Sequence, residues 1–536
     1  MDEFSEEEKR LLEPFMSNLD KQVFVLINLP EVVKGALFSR YSRTPHSLRR
    51  VLLKEFMQSE ELNLKEMLSS SPKAESVIQT KKAEEFYDRV LVGYGDDSVA
   101  ELAGAHIALE DISILATKVV EDARIGLSPL EKSTRYVYFD RKRPDGTWPY
   151  HREKRLMESE FADVYTKSCD LCFDRYSELV PKISAFVMER EPKDENTSDR
   201  AYKSTVRAKT CDILRGLLPA STLTNMGMFG DGRAYEYLIT RMYADDLSEM
   251  NSLAAMMQEE LGKVIPSFVK RANNKYGLSM QDYYKRVRKQ MEGIAQKHDG
   301  AAGGENVKLI EYDKEAERKI LITALYPYLS KPMDEIAEIV ERMSPEEKDT
   351  VMNAYINERE NRRHKPGRAF EHVYYMFDVC ANFGCYRDMH RHRILTQQRQ
   401  LLSPYHGYKL PEELVEAGYG KDFSDAMDNA KNAYEEIAEK FRKEAQYVMP
   451  LAYNIRWYMS FNLREAYHML ELRSSMQGHP DYRKIAHDMF REIEKVHPKL
   501  AAEMKFMDMK EYKLERLEAE KRIDRKMEEI SKKYGS

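Results

Sequence analysis

Cysteine is scarce in this chain: five residues in 536 positions cannot supply the disulfide framework of a small secreted scaffold. The lone C-x-x-C, Cys169 and Cys172, sits in a helical stretch without a second pair and reads as structural. Long apolar runs are also missing. No segment approaches the ~18–20 residues needed to cross a bilayer, and the opening Met1-Asp2-Glu3 lacks the basic stretch that begins a secretory signal. Both absences predict a soluble, cytoplasmic protein with no membrane partner. Neither a Walker loop nor a glycine-rich dinucleotide fingerprint occurs, so a dinucleotide would have to be held by side chains. Charge of one sign is not in excess either: 85 Lys and Arg against 91 Asp and Glu give a formal charge of −6. That balance supplies no general field for DNA or an anionic membrane, and any anion must be bound locally. The charged share, 33%, exceeds the ~25% usual for soluble domains and points to much solvated helix surface.

Two halves of the chain resemble each other. Glu101 opens an apolar run, expected to be helical, that leads to Arg124-Ile125, Ser128-Pro129, Ser133 and Tyr136. Glu371-His372 opens a similar run that leads to Arg393-Ile394, Ser403-Pro404 and Tyr405. Further on, Leu218-Pro219 and Arg233 match Met449-Pro450 and Arg464, with 14 positions from proline to arginine in both. The pattern reads as a tandem duplication. Between the halves, the glycines and small residues of Lys297–Glu305 mark a flexible linker. Segments 310–345 and 423–447 carry apolar residues at helical spacing. The strand candidates are Phe24–Ile27, Tyr136–Phe139 and Val373–Phe377. The charged tail from Lys510, with its stripe Leu514, Leu517, Ile523, Met527 and Ile530, predicts a helix laid on the body or on another subunit.

Chemistry concentrates in three places. From Tyr386 to Arg399 stand Arg387, Arg391, Arg393 and Arg399 with His390 and His392, against the single acid Asp388. A solvated face would carry lysine and glutamate, whereas here Gln397, Gln398 and Gln400 follow at once. The guanidinium forks suit phosphate or an electron-rich ring, and four neighbouring cations disfavour a metal at His390 and His392. A second cluster runs from Asn454 and Arg456 through Asn462, Arg464 and His468 to Arg473. On one helix Asn462 and Arg473 would lie about 20° apart in projection and roughly 16 Å apart along the axis, a span suited to an extended ligand. Each arginine there also fits an ion pair with a helix neighbour such as Glu465 or Glu471. Third, Glu131-Lys132-Ser133-Thr134-Arg135-Tyr136 offers hydroxyl and guanidinium donors for phosphate, and Arg135 equally fits a salt bridge anchoring a strand at Tyr136.

These residues resemble the flavin-dependent thymidylate synthases. The likeness rests on Arg391-His392-Arg393 about twenty residues after Glu371-His372, then on Asn462-x-Arg464 and Arg473. In the first half it rests on Ser98-x-x-Glu101, Glu131-x-Ser133-x-Arg135-Tyr136 and Arg215-x-x-Leu218-Pro219. It implies an α+β fold of two tandem repeats, mostly helical with small, mainly antiparallel sheets, packed as a pseudo-dimer. The repeats would span 20–275 and 310–505, with a linker over 276–309 and a charged C-terminal helix over 506–536. The implied activity is reductive methylation of dUMP to dTMP with methylenetetrahydrofolate, FAD and NADPH, in a homodimer presenting four lobes. A catalytically silent flavin- or nucleotide-binding homologue, and a flavoenzyme acting on another pyrimidine, remain open. By the same resemblance Arg473 and Ser133 are catalytic. Glu131, Arg135 and Arg215 bind substrate, while Arg391, His392, Arg393, Asn462, Arg464, His468 and His372 bind FAD, and no metal is expected. The departures divide by ligand. The first half has Asp122-Ala123-Arg124, Leu102 and Asp231 at flavin positions, and the second has Gln400, Leu402, Pro404 and Gln446 at nucleotide positions. Complementary loss, with composite sites, is the expectation.

Overall fold

The computed structural model describes residues 3–57, 100–298 and 303–534; Ser98 and the linker positions 299–302 lie outside them. The chain divides into two compact units. The first holds 1–112, 116–132 and 224–299, and the second holds 113–115, 133–223 and 300–536. The division cuts across the duplication, because the helical middle of the first repeat belongs to the unit that contains the second repeat.

The first unit carries a three-stranded sheet in the order β1 (Gly104–Ser113), β3 (Leu223–Asp231), β2 (Leu127–Glu131). The run after Glu101, expected to be helical, is therefore a strand, followed by helix α1 (Ile114–Glu121). Pro129 faces Met228 on β2, an edge strand where a missing backbone donor is tolerated. Gly126 turns the chain into β2 at φ +77°, and a Cβ there would sit 2.5 Å from the Asp231 carboxylate, so only glycine fits. Asp231 caps helix α4 (Gly232–Tyr243), its Oδ1 accepting the Ala234 N–H at 2.8 Å. Helix α5 (Lys275–Ala295) occupies much of the expected linker; Asn274 caps its start and the Gln281 amide donates to the Ala272 carbonyl at 2.8 Å.

The second unit carries a four-stranded sheet in the order β4 (Val307–Tyr312), β5 (Tyr374–Asn382), β7 (Asn454–Asn462), β6 (Thr396–Arg399). Its β5-β7-β6 part repeats the strand order of the first sheet. Alternate residues of β7 turn inward, and Trp457 and Phe461 are almost wholly buried, the latter stacked on Phe377 at 5.7 Å. Strand β7 runs into helix α10 (Leu463–Arg473), capped by Asn462 as Asp231 caps α4. A brace is repeated as well: Arg233 pairs with Glu101 at 2.8 Å in the first unit, and Arg464 with Glu371 at 2.7 Å in the second. Helices α2 (Ala162–Arg190) and α3 (Asp199–Leu214) come from the first repeat, and α9 (Gly420–Phe441) from the second; α2 and α9 pack together.

The duplication is visible as an internal two-fold relation within the second unit. Leu451 N–H donates to the Leu218 carbonyl (2.9 Å) and Ala220 N–H to the Met449 carbonyl (2.8 Å). Ala452 N–H donates to Gly216 (3.0 Å) and Ser221 N–H to Tyr447 (3.1 Å). Each bond becomes its counterpart when partners 231 positions apart, such as Pro219 and Pro450, exchange places. Helix α12 (Leu517–Tyr534) lies on α3, where Arg200 pairs with Asp524 and Glu520. Two strand expectations fail. Among the described residues Tyr136–Phe139 finds no neighbouring strand, and Phe24–Ile27 forms one bridge, Met16 to Leu26.

Candidate active site

Residues of both repeats meet around two buried carboxylates in the second unit. Ser133 Oγ accepts the Arg135 N–H at 3.1 Å, a tight local turn from which the Arg135 side chain runs inward. Its Nε and Nη2 form a fork on Asp212 of α3 at 2.7 and 2.6 Å, and Nη1 donates to the Tyr482 hydroxyl at 3.2 Å. Burial works against the Arg135 cation, and Asp212 more than compensates, so its pKa lies well above the ordinary value. One turn beyond Asp212, Arg215 Nη1 donates to Asp388 at 3.2 Å, while its buried Nη2 has no hydrogen-bond partner among the described residues. Asp388 belongs to helix α8 (Phe383–Met389). Burial pushes its carboxyl up, but Arg215, Arg391, Arg135 and Arg473 outweigh that and hold it far below the usual carboxylate range. Four guanidiniums, two from each repeat, thus act on one acid. Arg473 and Arg135 both stand over the Tyr482 ring, 5.4 and 5.7 Å from its centre.

His392 follows α8 in a turn. Its Nδ1 lies 2.7 Å from Glu465 Oε1, and its Nε2 accepts the Nε–H of Arg473 at 2.9 Å. Burial pushes the His392 pKa well below its ordinary value and lifts the Glu465 carboxyl to about 7. His392, Glu465 and His468 bring one ligand atom each within 4.8 Å, which is metal-like spacing. The donor inventory argues otherwise: Nε2 receives a proton donor from Arg473, so neutral His392 carries its proton on Nδ1 and offers no lone pair to an ion.

The remaining expected residues are placed as follows. Arg391 and Arg393 are exposed on either side of buried His392. Asn462 Oδ1 accepts the Glu465 N–H at 2.9 Å, and Arg464 is engaged by Glu371 and the Pro366 carbonyl. His468 packs edge-on against His392 at 5.7 Å. His372 is exposed in the wall of a separate cleft of about 640 Å³ with Arg318, Lys319 and Met333. Glu131 belongs to the first unit, where its carboxylate accepts from buried Lys118 at 3.1 Å and from Thr117 at 3.2 Å. The partners Asp212 and Tyr482 and the contact of Glu465 with His392 escaped sequence reasoning. Only the helical spacing of Asp212 and Arg215 hinted at any of them.

The duplicate positions do not repeat this constellation. Where Arg135, Arg215, Asp388 and Arg473 stand, their counterparts are Pro404, Gln446, Val119 and Met242. Gln446 instead accepts the Leu402 N–H at 3.0 Å. No helix among the described residues is long and apolar enough to cross a membrane.

Known proteins resemble this chain at two distances. A UPF0159 protein of Chlamydia pneumoniae is 44% identical over 526 residues, covering 97% of this chain and 98% of its own. A UPF0159 protein of Thermoplasma acidophilum is 35% identical over 515 residues, 91% of this chain and 98% of its own. A flavin-dependent thymidylate synthase of Sulfolobus acidocaldarius is 27% identical over 203 residues, 36% of this chain and 74% of its own. The thymidylate synthase complementing protein family matches twice, over 48–267 and 308–499, in agreement with the duplicated sheets and the two-fold hydrogen bonding. The chain therefore belongs to the thymidylate synthase complementing protein family, as a tandem pair of repeats.

Proposed function

We propose that the chain is a flavin-dependent thymidylate synthase with one composite site, converting dUMP to dTMP with methylenetetrahydrofolate as one-carbon donor and NADPH as reductant. The observation that carries this reading is the buried Arg215, bonded to Asp388 through Nη1 and with no hydrogen-bond partner for Nη2 among the described residues, in a field to which Arg135, Arg391 and Arg473 also contribute. A nucleotide phosphate supplies the acceptor that this nitrogen lacks, in a charge-assisted bond worth about 1.5–3 kcal/mol.

A flavin fits the surroundings on the chemistry of its donor set. The guanidiniums of exposed Arg391 and Arg393 suit a diphosphate, and His392, Asn462 and Arg464 beside them also serve internal partners. When bound, FAD supplies hydride chemistry that this set of side chains lacks. The chain's own part is electrostatic. Arg473 is held by His392 through Nε and by a side-chain hydrogen bond to Tyr482, and a cation there stabilises negative charge building on a pyrimidine carbonyl. Ser133 positions the turn that presents Arg135.

One observation favours a second reading. Asp212 and Asp388 already occupy Arg135 and Arg215, so a phosphate must compete with built-in carboxylates, which favours a less charged pyrimidine substrate. Titration with dUMP and with uridine separates the two. One equivalent of dUMP per chain, with flavin absorbance in the purified protein, is expected; preference for the uncharged nucleoside selects the second reading, and a colourless protein that FAD cannot reconstitute overturns both. A second chain would complete the four lobes of a homodimer, and a solution mass of one chain would remove that element.

A further inference from the structure

The duplicate positions also bear on His392. Its three-membered chain of contacts, Glu465 to His392 to Arg473, has Ala123, Ala234 and Met242 at the matching places of the first repeat. All three members are absent together, as expected of residues that act as a unit. Glu465 and Arg473 are eight residues apart on one helix, and the imidazole of a different element spans them. Glu465 sits in the first turn of α10, where the helix N-terminus favours a carboxylate. The backbone carbonyl of His392 accepts from Gln397 at 3.3 Å, which fixes the turn.

The direction of the hydrogen bonds is set jointly by Arg473 and Glu465. A guanidinium Nε is always a donor, so the imidazole must accept at Nε2, must carry hydrogen at Nδ1, and needs an acceptor there. Glu465 provides it. We propose that Glu465 is a positioning residue, which by accepting the Nδ1 proton of His392 locks the tautomer that holds Arg473 by its Nε and aims the two terminal nitrogens of the guanidinium. Its consequence for turnover rests on the function proposed above; the tautomer itself does not. Glutamine at 465 still offers an oxygen to Nδ1, whereas leucine offers none.

The test uses the full chain labelled with 15N-histidine, the His392 signal being identified by its loss in His392→Asn. Long-range nitrogen–proton spectra are expected to show the Nδ1–H tautomer in the wild type and in Glu465→Gln, and its loss in Glu465→Leu. Reoxidation of reduced flavin by dUMP together with methylenetetrahydrofolate should slow roughly ten- to a hundredfold in Glu465→Leu, the scale of a misaimed catalytic group, and recover in Glu465→Gln. The dUMP dissociation constant should change by less than about threefold, since an interaction used after binding affects rate before affinity. An Nε2–H tautomer in the wild type, or an unchanged tautomer in Glu465→Leu, overturns the proposal. A wild type with the expected tautomer that neither binds nor converts uracil nucleotides overturns the proposed function and supports the relay.

Discussion

Removing Asp212 should strand a buried charge, and the size of the effect follows from the geometry. Arg135 and Asp212 side chains are 7% and 6% exposed and share two bonds of 2.7 and 2.6 Å. Asp212→Ala leaves the guanidinium with the Tyr482 hydroxyl as its one side-chain hydrogen bond among the described residues, and breaking one side of a buried pair costs about 3–5 kcal/mol. With an m-value near 3 kcal/mol/M, the top of the range for small domains, the urea midpoint should fall by about 1–1.7 M. Fluorescence isolates the relevant transition, because both tryptophans, Trp148 and Trp457, lie in the second unit. The pair loses the charge with Arg135→Ala, so the double variant should regain more than about 1 kcal/mol over Asp212→Ala alone. A phosphate reaching Arg135 takes the place of the missing carboxylate, so dUMP should stabilise Asp212→Ala by more than the ~2.7 kcal/mol expected of the wild type at a hundred times its dissociation constant. Asp212 is subject to burial, which raises its pKa, but Arg135 and His479 pull it below the ordinary value. The sign follows: the stabilisation is in place above the unfolded carboxyl pKa and disappears as acid reaches the lower folded value. A midpoint shift under about 0.3 M, or a double variant worse than the single, refutes the reasoning.

Arg135→Ala should weaken dUMP binding by about ten- to a hundredfold, one charge-assisted bond, and leave flavin in place, as calorimetry with absorbance will check. Replacing Arg391 and Arg393 together with alanine should abolish flavin retention while the tryptophan fluorescence of the fold is unchanged; retained yellow colour contradicts their assignment. Arg464→Ala removes a brace whose partners are both more than a third exposed, so denaturation in low and high salt should register at most about 1 kcal/mol, vanishing with salt. The Glu465–His392 pair gives a pH signature. Glu465, lifted to about 7 by burial and faced by His468, Lys365, Arg473 and Arg464, stabilises below the ordinary glutamate pKa and loses this as pH rises through 7. His392, depressed by burial, Arg473 and Lys365, does the reverse below 6.5. The two slopes oppose each other in the wild type, and Glu465→Gln should expose the histidine slope, stability rising by up to about 1.4 kcal/mol per pH unit as 6.5 is approached from below; a flat profile in the variant contradicts the pairing.

What the sequence disclosed depended on whether the signal was local. The duplication, the helices after Asn462 and over 423–447, and the arginines of the site all came from spacing within one stretch. The run after Glu101 did not, because a short apolar segment suits helix or strand alike and β1 is decided by β3, more than a hundred residues away. Tyr136–Phe139 has strand composition, yet its groups meet side chains: Arg516 reaches the Tyr136 hydroxyl and Cys211 the Val137 carbonyl. The site's cations were legible as a motif and its acids were not, since Asp212 reaches Arg135 across 77 positions and Asp388 reaches Arg215 across 173. Glu465 looked like an ordinary partner for a helix neighbour, and only the fold turns it toward His392.

The interleaving of the two units has a consequence for how the protein is made. Residues 133–223 leave the ribosome early, but the surfaces they are shaped for, helix α9 and the stretch around Pro450, follow more than two hundred residues later. At translation rates of about 5–20 residues per second, that is a wait of roughly 10–50 s. Meanwhile the side of α2 that packs on α9 in the finished protein has no native cover. Nascent chains cut between the repeats should therefore engage chaperones or aggregate, and a gene split at the linker should yield soluble protein only when both halves are synthesised together.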